Sequence, residues 1–311
     1  MDEFSLIRRH FAGLTPARPD VVLGIGDDAA LLRPSPGMQL VVTSDTLVAG
    51  RHFPECTAAA DIGWKALAVN LSDLAAMGAE PRWFTLALTL PDADPQWLEG
   101  FAAGLRELAQ PSGIALVGGD TTRGPLSITI TAMGEVPPGQ ALRRDGARPG
   151  DRICVTGTLG DAALALRRLE QPGLPAQLRQ RLDRPTPRMA AGLALRGLAT
   201  AALDISDGLA GDLGHILAAS GVGAEIDLGA LPGSAHFNGL APADGRAELM
   251  LRGGDDYELC VCLPPEAVEE AQQRLDVPLT EIGRITAEPG LRGLDASGSL
   301  QPQQACGYRH F

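Results

Sequence analysis

Lysine is almost missing from this chain of 311 residues: Lys65 is the single one, and arginine supplies every other fixed cation. A phosphate loop ending in Gly-Lys-Ser/Thr therefore cannot be built, and any nucleotide bound here needs another device. Histidine is also scarce, five in all, with no Ser-His or His-Asp spacing of the kind nucleophilic hydrolysis uses. The five cysteines form no CxxC pair. They read as reduced thiols in a cytoplasmic protein, with Cys260 and Cys262 of "ELCVCLP" on one face of a strand. Basic residues number 26 against 38 acidic, a formal charge of -12, which argues against nucleic acid as a partner. No apolar run approaches the roughly 18 residues a membrane span requires. The opening "MDEFSLIRRHFAGL" lacks the basic-then-apolar order of a signal peptide. The sparse tryptophans, Trp64, Trp83 and Trp97, read as core residues.

What is present is a two-part alternation of strands and helices. "MQLVVTSDTLV" predicts a strand ending at Ser44 and Asp45. "DIGWKALAVNLSDLAAMGA" is apolar at helical spacing, and "RWFTLALTLP" reads as a strand. "DPQWLEGFAAGLRELAQPSG" is a helix with Pro95 near its start and Gly113 beyond its end. "GIALVGGDTT" predicts a short strand entering a glycine turn, and "PLSITITAMGEV" a strand by alternation. The segment "PPGQALRRDGARPGD" is the best linker, which places a boundary between domains 1–138 and 139–311. Beyond it, "DRICVTGTLGDAALALRRL" is strand, turn and helix, and "EQPGLPAQLRQRLDRPTP" looks irregular. "RMAAGLALRGLA" is a helix. "AALDISDGLAGDLGHILAASG" is a strand tip, turn and helix. The expected class is α/β and α+β in two domains.

Acidic residues recur at the ends of apolar runs: "LGIGDDAALL", "VVTSDTL", "VNLSDLAAMG", "LVGGDTTRG", "LDISDGL" and "RGGDDYEL". Each has an ordinary reading. Asp27, Asp28 and Asp120 could be turn residues, Ser44-Asp45 a cap, and Ser206-Asp207 a helix N-cap. Asp73 resists such a reading, because it lies among Leu67, Val69, Leu71, Leu74 and Met77 and shares a stripe only with Asn70. Two carboxylates about 4 Å apart repel by about 4 kcal/mol at an effective dielectric near 20. If carboxylates of both halves converged on one cleft, they would need counter-charge that one lysine cannot supply. All-oxygen donors without a His/Cys cluster favour Mg²⁺ shared with substrate phosphates. The glycines of "VGGDTT" would let backbone N–H groups approach phosphate. Arg143 and Arg144 are candidates for a phosphate or base contact.

Taken in order, "GIGDDAALL", "SDTLVAGRHF", "KALAVNLSDLAAMGA", "GGDTTRG", "VTGTLGDAALAL", "DISDGLAGDL" and "GGDDYEL" resemble the thiamine-monophosphate kinases of the aminoimidazole-ribonucleotide-synthetase-like ATP-binding superfamily. The likeness runs nearly end to end, from "EFSLI" to "GYRHF". It implies ATP-dependent phosphorylation of thiamine monophosphate to thiamine diphosphate. It also implies an N-terminal mixed-sheet domain that forms a homodimer by pairing sheets into a barrel, and a C-terminal α+β domain. The metal ligands it implies are Asp28, Thr43, Ser44, Asp45, Asp73, Asp120, Asp204 and Asp207, with Asp45, Asp73 and Asp120 central to catalysis. ATP contacts fall on Gly119, Arg144 and Ser206, and substrate contacts on His52, Asp255 and Tyr308. The family usually has glutamate in the position of Asp255. A phosphate acceptor is already ionised near neutral pH, so no strong general base is expected, and transfer would be direct. Selenophosphate synthetases would show a Cys or selenocysteine with Lys near the start, and hydrogenase-maturation relatives a terminal cysteine; this chain shows neither.

Overall fold

The computed structural model describes residues 3–295 and 297–307. The chain divides into two units, the first comprising Met1–Leu74 and Ala79–Gly139, the second Ala75–Gly78 and Gln140–Phe311.

The first unit runs α1 (Glu3–His10), β1 (Val21–Leu23), β2 (Leu31–Leu32), β3 (Gln39–Val48), α2 (Ala59–Ala76), β4 (Glu80–Leu90), α3 (Pro95–Ser112), β5 (Ala115–Arg123) and β6 (Ser127–Val136). β1 and β2 pair by themselves; the others form a four-stranded mixed sheet in the order β3-β6-β4-β5, with β4 and β5 parallel. α3 has the expected ends. The Asp94 side chain accepts from Gln96 N–H, Pro95 opens the first turn, and Gly113 closes it in the left-handed conformation. α2 and α3 pack so closely that a Cβ on Gly104 would stand 1.8 Å from the Ala60 carbonyl oxygen. Leu67, Ala68, Leu71 and Leu74 are fully buried on α2, so its apolar sequence is explained by burial on most sides.

Two strand expectations are corrected here. β3 does not end at Ser44-Asp45; it continues to Val48, with both residues in mid-strand opposite Thr131 and Ile130. β5 likewise passes through Gly118 and Gly119 to Arg123 without turning. Glycine suits a strand crowded by its neighbour as well as it suits a turn.

The second unit runs β7 (Arg152–Thr156), α4 (Asp161–Arg167), α5 (Ala176–Asp183), α6 (Met189–Ala194), β8 (Ala201–Asp204), α7 (Leu209–Ser220), β9 (Gly223–Asp227), α8 (Ala235–Leu240), α9 (Arg246–Arg252) and β10 (Leu259–Leu263). A 3₁₀ turn, α10 (Val268–Arg274), β11 (Leu279–Thr286), β12 (Gly290–Leu294) and β13 (Leu300–Gln303) complete it. Seven strands form one sheet in the order β13-β12-β9-β11-β7-β10-β8, antiparallel except for β9 with β12. This is an α+β unit. α5 corrects the irregular reading of "EQPGLPAQLRQRLDRPTP": Leu178 and Leu182, four apart, are both buried and seat a two-turn helix.

Candidate active site

In the first unit the period of two along β3 sorts the residues. Val41, Thr43, Asp45 and Leu47 form the more buried row, while Leu40, Val42, Ser44, Thr46 and Val48 are exposed. α2 meets the first row with its one polar stripe. Thr43 Oγ1 donates to Asp73 Oδ2 at 2.5 Å, and Asp45 N–H donates to Asn70 Oδ1 at 3.2 Å. Asn70 is completely buried and its amide nitrogen donates back to the Ala66 carbonyl at 3.1 Å. Asp73 is therefore paired at the edge of the helix, as its apolar surroundings require. Ser44 stands on the opposite face, where its hydroxyl meets Thr131 Oγ1 at 2.9 Å, followed by Thr46 with Thr129 at 2.8 Å. Neither Ser44 nor Asp45 caps anything.

Asp120 is exposed on β5 opposite Ala87 of β4, so it is a strand residue rather than a turn residue. Gly119 before it has φ 151°, and a Cβ there would lie 1.8 Å from the Leu86 carbonyl oxygen. Asp28 is exposed in the segment between β1 and β2, its N–H donating to Asp27 Oδ1 at 2.8 Å. His52 folds back on the end of β3: its Nδ1 accepts from Val48 N–H at 2.9 Å, which requires that nitrogen to be unprotonated.

The second unit builds a tight turn after β8. Asp204 is buried at the strand tip. Asp212 Oδ2 then gathers three backbone N–H groups, from Ser206 at 3.0 Å, Asp207 at 3.0 Å and Gly208 at 3.1 Å. Gly208, not Ser206 or Asp207, is the N-cap of α7, which corrects the capping reading. Burial pushes the Asp212 carboxyl up to about 7, while its three N–H donors pull the other way. The loop before β10 lies against this turn: Asp255 N–H donates to the Ser206 carbonyl and Tyr257 N–H to that of Ile205, both at 2.8 Å. The Tyr257 hydroxyl donates to Asp255 Oδ1 at 3.1 Å.

Behind the loop, Asp256 Oδ1 accepts from Gly160 N–H at 2.9 Å, and burial raises its pKa well above the usual carboxylate range. Glu258, fully buried, is held by Thr156 Oγ1 at 2.8 Å, Arg181 at 2.9 Å and a bidentate Arg188 at 2.6 and 2.5 Å. The "TGTLGD" turn is part of this buried frame: the Glu258 carboxylate occupies the space a Cβ on Gly157 would need. Of the two linker arginines, Arg143 is taken by Asp145, through Nε at 2.8 Å and Nη2 at 2.5 Å. Arg144 is exposed, and its carbonyl accepts from Ser220 Oγ at 2.8 Å. Tyr308 lies outside the described residues.

Thus Thr43, Asp45 and Asp73 are brought together in the first unit, and Asp204, Ser206, Asp207 and Asp255 in the second. Among the described residues no three His, Cys, Asp or Glu side chains form a ready metal cage. The donors are nonetheless all hard oxygens and are partly open. That suits Mg²⁺, which takes one or two carboxylates and completes its shell with water and phosphate. Sequence reasoning missed Asp212, Tyr257 and Ser220. For Asp212 the available signal is its spacing: a carboxylate four residues after Gly208 is in reach of the preceding turn.

Two family models match the chain: AIR synthase related protein, N-terminal domain, over residues 26–136, and AIR synthase related protein, C-terminal domain, over residues 148–295. A two-domain AIR-synthase-like protein is the class so defined. The chain is 50% identical over 320 residues to the thiamine-monophosphate kinase of Escherichia coli K12, covering 99% of this chain and 98% of that one. Among solved structures, thiamine-monophosphate kinase from Stenotrophomonas maltophilia K279a superposes with a TM-score of 0.87 at 54% identity, covering 94% of this chain and 96% of that one. AaThiL complexed with AMPPCP and TMP gives 0.78 at 33% identity, with 92% of each chain covered. The chain belongs to the AIR synthase related family and, within it, to the thiamine-monophosphate kinases.

Proposed function

We propose that this protein transfers the γ-phosphoryl group of ATP to the phosphate of thiamine monophosphate, giving thiamine diphosphate. The observation that carries the reading is its half-identity, over nearly full length, to a thiamine-monophosphate kinase. The related AaThiL structure holds AMPPCP and TMP together, which supports direct transfer between the two substrates without a phospho-enzyme.

The acceptor is itself an anion, so the difficulty lies in bringing two polyanions together, not in removing a proton. Mg²⁺ would be held in the first unit by Asp28, Thr43, Asp45, Asp73 and Asp120, with Ser44 limited by its outward side chain to a main-chain oxygen. In the second unit it would be held by Asp204 and Asp207. When bound, it would neutralise phosphate charge. The chain's own contribution is orientation. Asn70 and Thr43 fix Asp45 and Asp73 against each other, and Asp212 fixes the turn that presents Ser206 and Asp207. Gly119, Ser206 and Arg144 are proposed for ATP, and His52, Asp255 and Tyr308 for thiamine monophosphate.

A homodimer formed along β3 is supported by its position at the sheet edge and by Leu40, Val42 and Val48, which are 50%, 56% and 37% exposed. A cytoplasmic location is supported by five unpaired cysteines. Among the described residues no helix is long and apolar enough to cross a membrane.

The test is a product assay with purified protein, ATP and Mg²⁺, offering thiamine monophosphate and free thiamine in parallel. Thiamine diphosphate formed from the monophosphate alone is the expected result. Failure of both acceptors while ATP is still bound through Mg²⁺ would reassign the substrate within the superfamily.

A further inference from the structure

Asp255 and Tyr257 are the only non-glycine residues with positive φ among the described residues, at 67° and 49°. An aspartate tolerates that conformation; a tyrosine adopts it only when its surroundings hold it there. Those surroundings are visible. Asp256 and Glu258, the alternate residues, are anchored inward on Gly160 and on Thr156, Arg181 and Arg188. The backbone N–H groups of Asp255 and Tyr257 are both spent on the Ile205–Ser206 turn. The segment is thus fixed from behind and along its edge, and its other two side chains are brought together, Tyr257 hydroxyl to Asp255 Oδ1 at 3.1 Å.

From this geometry we infer that Tyr257 is a positioning residue for substrate recognition. Its hydroxyl holds the Asp255 carboxylate in place as the counter-charge for the cationic thiazolium ring of thiamine monophosphate. The inference rests on the reading of Asp255 as a substrate contact. It also accounts for the aspartate: a carboxylate one methylene shorter than glutamate reaches less far, but a fixed one has little freedom left to lose when the substrate binds.

The test measures the Kd of thiamine monophosphate by calorimetry without ATP, the KM of each substrate, and the melting temperature. These are compared for the parent chain, Tyr257→Phe, Asp255→Asn and the double variant. Tyr257→Phe keeps the ring and backbone and removes only the donor. It is expected to raise the Kd and KM for thiamine monophosphate roughly 5-fold, leaving the KM for ATP and the melting temperature unchanged. Asp255→Asn should weaken the same substrate at least as much, and adding Tyr257→Phe to it should cost nothing more. Unchanged affinity in Tyr257→Phe overturns the inference. So does full additivity in the double variant, or a parallel loss of ATP binding and stability. If Asp255→Asn alone leaves thiamine monophosphate binding intact, the substrate reading of Asp255 falls and the inference with it. If Asp255→Asn weakens binding and Tyr257→Phe does not, the positioning role alone falls.

Discussion

The two adjacent glycines of "VGGDTT" make separable demands, and alanine substitutions distinguish them. At Gly119 the backbone has φ 151°, and a new Cβ would stand 1.8 Å from the Leu86 carbonyl oxygen and 2.6 Å from its carbon. Non-bonded heavy atoms settle near 3.5 Å, so β5 would have to move away from β4 by more than an ångström. About two ladder hydrogen bonds would be lost, at about 1 kcal/mol each. A strained backbone adds about 1–2 kcal/mol. Gly119→Ala is thus expected to cost about 3–4 kcal/mol. For a unit of this size that lowers its melting temperature by about 10 °C. Gly118 has no atom within 4 Å of an added Cβ and no positive φ. Gly118→Ala should therefore melt within about 2 °C of the parent. If the Gly118 backbone does lie against phosphate, this second variant raises the KM for ATP without changing stability. Calorimetric melting of both variants, with ATP kinetics on Gly118→Ala, is the assay. A Gly119→Ala protein that melts within about 2 °C of the parent would refute the steric reasoning.

Three further outcomes are expected. Asp73→Asn can still accept the Thr43 hydroxyl, so it should fold, with slightly higher metal-free stability. Loss of charge should reduce turnover by about 100-fold or more, and activity within a few-fold of the parent at saturating Mg²⁺ would remove Asp73 from the site. Glu135 is held below the usual carboxylate range: its burial pushes it up, but Ser35 N–H at 2.6 Å and the Arg82 guanidinium at 2.9 Å outweigh that. Its stabilising contribution is therefore full above pH 4.5 and lost as pH falls through the lower folded value. Glu135→Gln should flatten that acid limb in denaturant titrations at pH 2–6, and an unchanged limb would exclude Glu135. Finally, the homodimer proposed along β3 predicts that Leu40→Arg with Val42→Glu shifts a dimeric parent to monomer in sedimentation; a parent that is already monomeric, or a variant that stays dimeric, would refute that interface.

Much of the first unit was legible because its signals are local. The stripe of Asn70 and Asp73 on an otherwise apolar helix announced a polar contact, and it is with β3 that they make it. Pro95 and Gly113 marked both ends of α3, to which the structure adds the Asp94 cap. What was not legible depends on partners distant in sequence. Whether glycine signals a turn or a crowded strand is decided at Gly119 by Leu86, on another strand. The roles of Asp256 and Glu258 depend on Gly160, Arg181 and Arg188, which no spacing rule connects to "GGDDYEL". The opposite facing of Ser44 was available from alternation alone, once the strand was known to run on through Asp45.

That alternation on β3 limits how this segment can change over evolutionary time. Adding or deleting a single residue between Gln39 and Thr43 would exchange the two rows. Thr43 and Asp45 would turn away from Asp73 and Asn70, and Ser44 would take their place. The length of the strand is therefore fixed by the row that meets α2, whatever residues its outer row carries. Insertions and deletions among its descendants have room only in the flanking loops, residues 33–38 and 49–58, where one residue more or less leaves the parity of the strand untouched.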